Sequence, residues 1–136
     1  MAIEHPKGLV GHSDGDVLLH ALMDALLGAA ALGDLGTHFP SDDPAYANAD
    51  SLALLARVGS LLAAAGFRVA SLDATVVAQA PRLAGHVGAM RDAIARALAI
   101  ERAVVSVKAT TNDGLSAIGA GDAIAALATA LVETSA

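Results

Sequence analysis

Residues 11–36 read GHSDGDVLLHALMDALLGAAALGDLG, and this stretch decides both the fold and the candidate site. It predicts a helix over about residues 14–32 that is almost wholly apolar and carries Asp16, His20 and Asp24. These three are spaced i, i+4 and i+8, so they share one face. A helix that is apolar on its other faces is normally buried. The polar stripe therefore either faces solvent or has partners in a site, because burying an unpaired charge is expensive.

The predicted start of this helix has the chemistry of an anion site. Ser13 is a good N-cap, and Asp16 three residues later approximates a capping box. Free N–H groups at a helix start attract anions, so His12, Ser13 and the helix terminus could together bind a phosphate. His20 lies further along the helix and could bind a metal. Many helices also begin this way for stability alone.

The composition describes one domain. The chain has 136 residues, enough for a proper core, and we expect residues 1–136 to form a single domain. Hydrophobic residues make up 55% but aromatic residues only 2%, so alanine, leucine and valine fill the core. This surplus of small apolar residues fits subunit interfaces and predicts a homo-oligomer. Ionisable residues interrupt the best apolar run, so we expect no membrane span.

The charge and the chain start exclude other classes. The formal net charge is −6 and no basic cluster is present, which argues against nucleic-acid binding. An anionic ligand would then be bound locally, by helix N-termini, metals or a few side chains. The absence of cysteine excludes disulfides and thiolate sites. The first residues contain no apolar signal region, so a cytoplasmic location is expected.

The remaining sequence alternates between helix and strand. The predicted elements are an extended lead-in over 1–12, a loop over 33–49, a helix over 50–65, a strand over 67–78, a helix over 85–98 and a strand over 103–110. Gly66 is a plausible C′ residue for the second helix. Residues 121–132 are ambiguous, because their alanines favour a helix while their near-continuous apolar run also suits a buried strand.

Four blocks of this sequence resemble the 2-C-methyl-D-erythritol 2,4-cyclodiphosphate synthase family. They are HSDGDVLLHALMDALLGAAALGDLG at 12–36, FPSDDP at 39–44, AQAPRL at 78–83 and VKATTNDGL at 107–115. The resemblance runs from about residue 3 to residue 132. It implies an α+β subunit with a mixed β-sheet and helices packed on one face, with the ambiguous last segment in a strand. It also implies a homotrimer with active sites between adjacent subunits.

The same resemblance implies an activity. Family members convert 4-diphosphocytidyl-2-C-methyl-D-erythritol 2-phosphate into the cyclic diphosphate and release CMP, in non-mevalonate isoprenoid synthesis. The partner is thus a small-molecule cytidine diphosphate substrate. An anionic phosphate attacks an anionic diphosphate, so the repulsion has to be neutralised and the groups held in line. Family members use zinc together with magnesium or manganese for this purpose.

Roles for individual residues follow from the resemblance by position. His20 matches a zinc ligand, and Asp113 matches a ligand of the second metal, where the family usually has glutamate. His12 and Thr111 match the residues that stabilise the transition state. The matches to substrate contacts are Ser13 beside His12; Asp34, Leu35, Gly36, Phe39, Pro40, Ser41, Asp42 and Asp43 around the methylerythritol unit; Ala78, Gln79, Ala80, Pro81, Arg82, Leu83, Ala84, Thr110 and Thr111 in the cytidine pocket of a neighbouring subunit; and Asn112. The remaining histidines, His5, His38 and His86, match no ligand and are expected at the surface.

The sequence also departs from the family pattern. It has no Asp-x-His near its start, where the family has two zinc ligands, so His20 is the one matching ligand where a catalytic zinc usually has three. Ala120 and Asp122 stand where the family has arginine and glutamate at the trimer axis, which removes a bidentate phosphate contact there. Three explanations are open. The N-terminus that carries these ligands is truncated, or another residue or another chain supplies them. Alternatively, the chain is a noncatalytic trimeric homologue that binds a nucleotide or diphosphate.

Overall fold

The computed structural model of the protein describes residues 9–40, 50–77, 83–110 and 125–135. These residues form four α-helices and three β-strands. They are α1 (Leu9–Ala29), α2 (Leu35–His38), α3 (Ser51–Ala64), β1 (Phe67–Val77), α4 (Val87–Leu98), β2 (Val105–Thr110) and β3 (Ala125–Thr134). Short 3-10 turns at Leu83–His86 and Arg102–Val104 precede α4 and β2. No helix of the described ranges is long and apolar enough to cross a membrane.

The described strands form a mixed sheet in the order β2-β1-β3. β1 pairs in parallel with β2 and antiparallel with β3, so that Ala74 lies opposite Val107 on one side and Ala128 on the other. The parallel pair is connected through α4, as a parallel connection requires a crossover. The α+β prediction with a mixed sheet is confirmed, and the ambiguous last segment is a strand.

Helices cover one face of this sheet. Along β1, Leu72, Ala74 and Val76 are buried and alternate with more exposed residues, as a strand with one buried face requires. Val105 and Val107 continue the same face on β2. The core also contains buried side chains from all three long helices: Leu18, Leu19, Leu22, Met23, Leu26 and Leu27 of α1, Leu54, Leu55, Val58 and Leu62 of α3, and Met90, Ile94, Ala95 and Leu98 of α4. The expectation that helices pack on one face is therefore confirmed.

The opposite face of the sheet is open within the described chain. On β3 the residues facing away from the helices include Leu127 and Leu131, which are 67% and 62% exposed. They lie opposite Thr75 and Ser71 of the central strand. Two large leucines on one side of an edge strand form an apolar patch, and such patches mark interaction surfaces when they are contiguous.

The start of α1 differs from the prediction. The helix begins at Leu9, so residues 9–12 are helical rather than extended, and Ser13 lies inside the helix instead of at its N-cap. The physical reason is that Leu9 and Val10 continue the apolar sequence of the helix, and the nearest helix-breaking proline is Pro6. The N–H of Ser13 is the fifth of the helix and is used within it, so Ser13 is not the N-cap that the sequence predicted, and the phosphate contact of His12 and Ser13 stays a prediction.

Three smaller boundaries also differ. α1 ends at Ala29 rather than near residue 32, and α2 forms inside the predicted loop over 33–49 because Asp34 caps it. The third long helix starts at Val87, since a 3-10 turn occupies Leu83–His86, and β2 starts at Val105 after a similar turn. α3 follows its prediction, with the Asp50 carboxylate accepting a hydrogen bond from Leu52 N at its start.

All three long helices end through a residue with left-handed backbone. Gly66, after α3, has φ 88°, which confirms it as the predicted C′ glycine. Ala31 and Ala99 take the same role after α1 and α4 with φ 57° and 54°. After α1, Leu32 N donates to Leu27 O and Ala31 N to Gly28 O, the bond pattern of a Schellman motif. An alanine Cβ is unfavourable in this conformation, so both helix ends hold local strain.

Ala31→Gly and Ala99→Gly are each expected to stabilise the protein by about 0.5–1 kcal/mol, because glycine adopts positive φ without the Cβ penalty. The reverse change, Gly66→Ala, should destabilise it by about 1 kcal/mol. A Cβ at Gly66 would meet no atom within 4 Å, so backbone conformation alone causes the loss. The midpoints of urea unfolding, compared at unchanged m-value, measure the stability changes of all three variants. A lower midpoint in either alanine-to-glycine variant would contradict the assignment.

Candidate functional site

The polar stripe on α1 is the first part of the candidate site. His20 and Asp24 are exposed and Asp16 is half-buried, whereas the neighbouring leucines are buried. The stripe therefore lies at the surface of the described chain, on the same helix whose leucines pack into the core. His20 presents an accessible imidazole there, which is what a metal ligand or a ligand contact requires.

The turn that follows α1 is the second part. Asp34 has extended backbone, φ −130° and ψ 176°, and caps α2. Its Oδ1 accepts hydrogen bonds from Thr37 N at 2.9 Å and from Thr37 Oγ1 at 2.7 Å. Asp24 Oδ1 accepts a hydrogen bond from Leu35 N at 2.8 Å. Two carboxylates therefore fix the backbone of residues 34–36, the three consecutive residues predicted to hold the methylerythritol unit.

The hydrogen bonds from Thr37 also set the charge of Asp34. The Thr37 hydroxyl, followed by the Thr37 N–H, lowers the pKa of this carboxyl below its usual value, and the nearby His38 contributes in the same direction. Asp34 is consequently an anion at neutral pH and can only accept hydrogen bonds. A sugar hydroxyl is a suitable donor for such a group.

Thr37→Val is expected to raise the pKa of Asp34 toward its ordinary value of 3.8, because the strongest hydrogen bond to the carboxylate is removed. Since the folded-state pKa is the lower one, ionised Asp34 stabilises the fold above about pH 4, and this contribution is lost as pH falls through the folded value. A carbon-13 NMR titration of the carboxyl group measures the shift. Thr37→Ser keeps the hydroxyl and should leave the pKa low; equal pKa values in the two variants would refute the assignment.

His38 ends α2 and is not a simple surface residue, contrary to the prediction. It is half-buried, and its Nε2 lies 2.7 Å from Leu32 O. A carbonyl oxygen only accepts, so Nε2 carries the proton and donates. The bond ties the end of α2 back to the segment after α1. His38 and Phe39, whose ring centroids are 6.3 Å apart, also line an open cavity of about 370 Å³ together with Arg57, Ser60 and Leu61 of α3.

The two segments predicted to form the cytidine pocket start at the same sheet edge. Val77, the last residue of β1, pairs with Thr110, the last residue of β2. Because the strands are parallel, both end at the same edge of the sheet. Leu83 and Ala84 lie in the 3-10 turn before α4. Thr110 is exposed at this edge.

Several predicted site residues lie outside the described residues. These are Ser41, Asp42 and Asp43 after Pro40; Ala78, Gln79, Ala80, Pro81 and Arg82 after β1; and Thr111, Asn112 and Asp113 after β2. The same holds for His5, Ala120 and Asp122. The backbone of His12 and Ser13 is in the first turns of α1. The structure thus brings Asp34, Leu35 and Gly36 together with the α1 stripe and leaves the other contacts as predictions.

Within the described ranges, no three histidine or acidic side chains form a group that could hold a metal ion. His20 is the one residue of the predicted metal set that these ranges contain, and Asp24 already accepts a hydrogen bond from Leu35. A catalytic zinc usually takes three protein ligands. The described residues therefore do not by themselves form the predicted zinc site.

Comparison of the sequence with known proteins identifies the family of this chain. The profile of the YgbB family matches residues 1–133. The chain belongs to the YgbB family. The 2-C-methyl-D-erythritol 2,4-cyclodiphosphate synthase of Verminephrobacter eiseniae is 58% identical over 132 residues, which cover 96% of this chain and 72% of that protein. The enzyme of the same name from Syntrophomonas wolfei is 58% identical over 131 residues, covering 96% and 83%.

Solved structures of the family share the fold. The bifunctional IspDF of Campylobacter jejuni superposes with a TM-score of 0.83 at 37% identity, over 87% of this chain and 32% of that one, so the match spans about a third of the bifunctional protein. The CDP complex of IspF from Plasmodium falciparum superposes with a TM-score of 0.79 at 29% identity, over 93% and 76%. These superpositions agree with the predicted α+β fold of the subunit.

Three contacts in this family member were missed by sequence reasoning. They involve Asp24, Thr37 and His38, which all bind the backbone or side chain of the turn after α1. Only the Asp34–Thr37 contact had a signal in the sequence, because an aspartate three residues before a threonine is a possible cap. The other two depend on how the chain reverses after Ala31.

Proposed function

We propose that the chain converts 4-diphosphocytidyl-2-C-methyl-D-erythritol 2-phosphate into 2-C-methyl-D-erythritol 2,4-cyclodiphosphate with release of CMP. The observation that supports this most is the match of nearly the whole chain to synthases of that name. The fixed turn at residues 34–36 and the shared edge where β1 and β2 end supply two of the contact regions that the reaction needs.

In this reaction an oxygen of the 2-phosphate attacks the β-phosphorus of the diphosphate. A new P–O bond closes the ring, the bond from the β-phosphorus to the bridging oxygen breaks, and CMP leaves with that electron pair. Asp34 accepts a hydrogen bond from a substrate hydroxyl, and Ser13, His12 and Thr111 contact the phosphates. Both reacting groups are anionic, so these residues have to hold them in line against their mutual repulsion.

The proposal includes divalent metal ions, zinc at His20 and magnesium or manganese at Asp113. When bound, such ions neutralise phosphate charge and orient the reacting groups. The described residues provide one of the ligands a zinc needs, so the steps given above rest on the chain's own side chains. The remaining ligands would come from outside the described ranges or from a neighbouring subunit.

We propose further that the protein is a homotrimer located in the cytoplasm. The exposed Leu127 and Leu131 on the open face of the sheet support the oligomer, because a partner would bury them. The cytidine pocket of one subunit would then complete the site that the α1 stripe and the turn after it form in the next. The negative net charge is consistent with no nucleic-acid partner.

The direct test is CMP release from the named substrate, with zinc and magnesium present and again with chelator. Phosphorus-31 NMR should show a cyclic diphosphate appearing in equal amount with CMP. Metal-dependent release supports the proposal. No release from protein that is folded and trimeric would contradict it and would favour the noncatalytic homologue, which should still bind CMP or CDP in a calorimetric titration.

A further inference from the structure

We propose that Asp24 is a positioning residue for this reaction: it holds the substrate-binding turn at residues 34–36 against α1. The inference rests on the function proposed above. Asp24 belongs to the polar stripe of α1, and neither a metal role nor a substrate contact was assigned to it from the sequence.

The geometry separates Asp24 from the other contacts of the turn. Asp34 caps α2 from within, so it shapes the turn without attaching it to α1. His38 attaches the far end of α2, to Leu32 O. Asp24 reaches across eleven positions of sequence to the N–H of Leu35, the middle residue of the substrate-binding three. Of these contacts, that of Asp24 alone joins a substrate-binding residue directly to α1.

The placement on α1 gives this contact its functional meaning. Asp24 lies one turn after His20 on the same helix face. It therefore fixes the distance between the turn that holds the methylerythritol unit and the helix that carries His20 and His12. An in-line attack within one substrate depends on such distances, and a displacement of about 1 Å can cost two orders of magnitude in rate.

The chemistry of the contact also favours positioning over packing. Leu35 N is at the start of α2, where backbone N–H groups have no partner inside the helix. A carboxylate there makes a charge-assisted hydrogen bond, which is stronger than a neutral one. Asp24 itself is exposed, so shortening its side chain opens no cavity in the core.

The test compares Asp24→Ala, Asp24→Asn and the control Asp50→Ala. Asp50 makes the same type of contact, a carboxylate accepting Leu52 N at the start of α3, away from the turn. Asp24→Ala is expected to lower kcat/KM for CMP release roughly tenfold, the size of one lost charged hydrogen bond. Asp24→Asn keeps a neutral oxygen acceptor and should recover part of that loss, and Asp50→Ala should match the wild type.

Amide hydrogen exchange provides a readout that does not depend on activity. The Leu35 amide should exchange faster in Asp24→Ala than in the wild type and in Asp50→Ala. The proposal is overturned if Asp24→Ala has the kcat/KM of Asp50→Ala, or if Asp24→Asn is as impaired as Asp24→Ala. If the wild type releases no CMP, the proposed function fails and the positioning role with it, while faster exchange at Leu35 still identifies the contact.

Discussion

Replacing His20 with alanine is expected to lower kcat/KM for CMP release at least about a hundredfold and to remove zinc from the purified protein. Losing an outer-shell partner of a metal typically costs about 10–100-fold in affinity or activity, and losing a ligand costs more. His20 is exposed on α1, so its replacement leaves the buried leucines of the helix in place. Steady-state kinetics and elemental analysis by mass spectrometry measure the two losses.

The matched control for this prediction is His86→Ala. His86 precedes α4 and makes no side-chain cap hydrogen bond, so its loss should change neither zinc content nor rate. An unchanged zinc content in His20→Ala would contradict the assignment of His20 as a zinc ligand. Unchanged activity with zinc lost would show that the metal has no part in the reaction.

Introducing charge on the open face of the sheet is expected to dissociate the proposed homotrimer. The double variant Leu127→Lys with Leu131→Lys places two like charges on β3 in each subunit, where a partner would have to bury them unpaired. Sedimentation velocity should then show a monomer. CMP release should fall with it, because in the proposed homotrimer the cytidine pocket of one subunit completes the site of another.

The control carries the same charge elsewhere. Ala53→Lys with Ala63→Lys adds two lysines at exposed positions of α3 and should leave the trimer intact. A monomeric wild type, or a trimeric leucine variant, would contradict the assignment of the interface. Circular dichroism before each run confirms that the variants compared are folded.

The fold could be predicted from the sequence wherever a residue type favours a single backbone conformation. Gly66 marks the end of α3 because glycine tolerates the left-handed backbone found there. Ala31 and Ala99 adopt the same backbone without such a signal, so the end of α1 was placed too late. Ser13 illustrates the opposite error: its capping preference is real, but the apolar residues before it extend the helix past it.

The candidate site was predictable in its residues and less so in its contacts. Asp34, Leu35 and Gly36 were identified by resemblance, and the structure fixes them in one turn beside the α1 stripe. The Asp24–Leu35 bond could not be predicted, because it joins positions eleven apart and depends on the reversal at Ala31. Likewise, the local sequence of residues 121–132 left helix and strand open; pairing with β1 makes residues 125–134 a strand.

The pairing of β1 between β2 and β3 has a consequence for how the protein is made. α1 is the first of the described elements to be synthesised, yet it packs against β3, which is synthesised after all the others. Until β3 emerges, the part of α1 that packs on β3 and the edge of β1 that pairs with it remain uncovered. Folding of this sheet is therefore completed only after residues 125–134 have been translated.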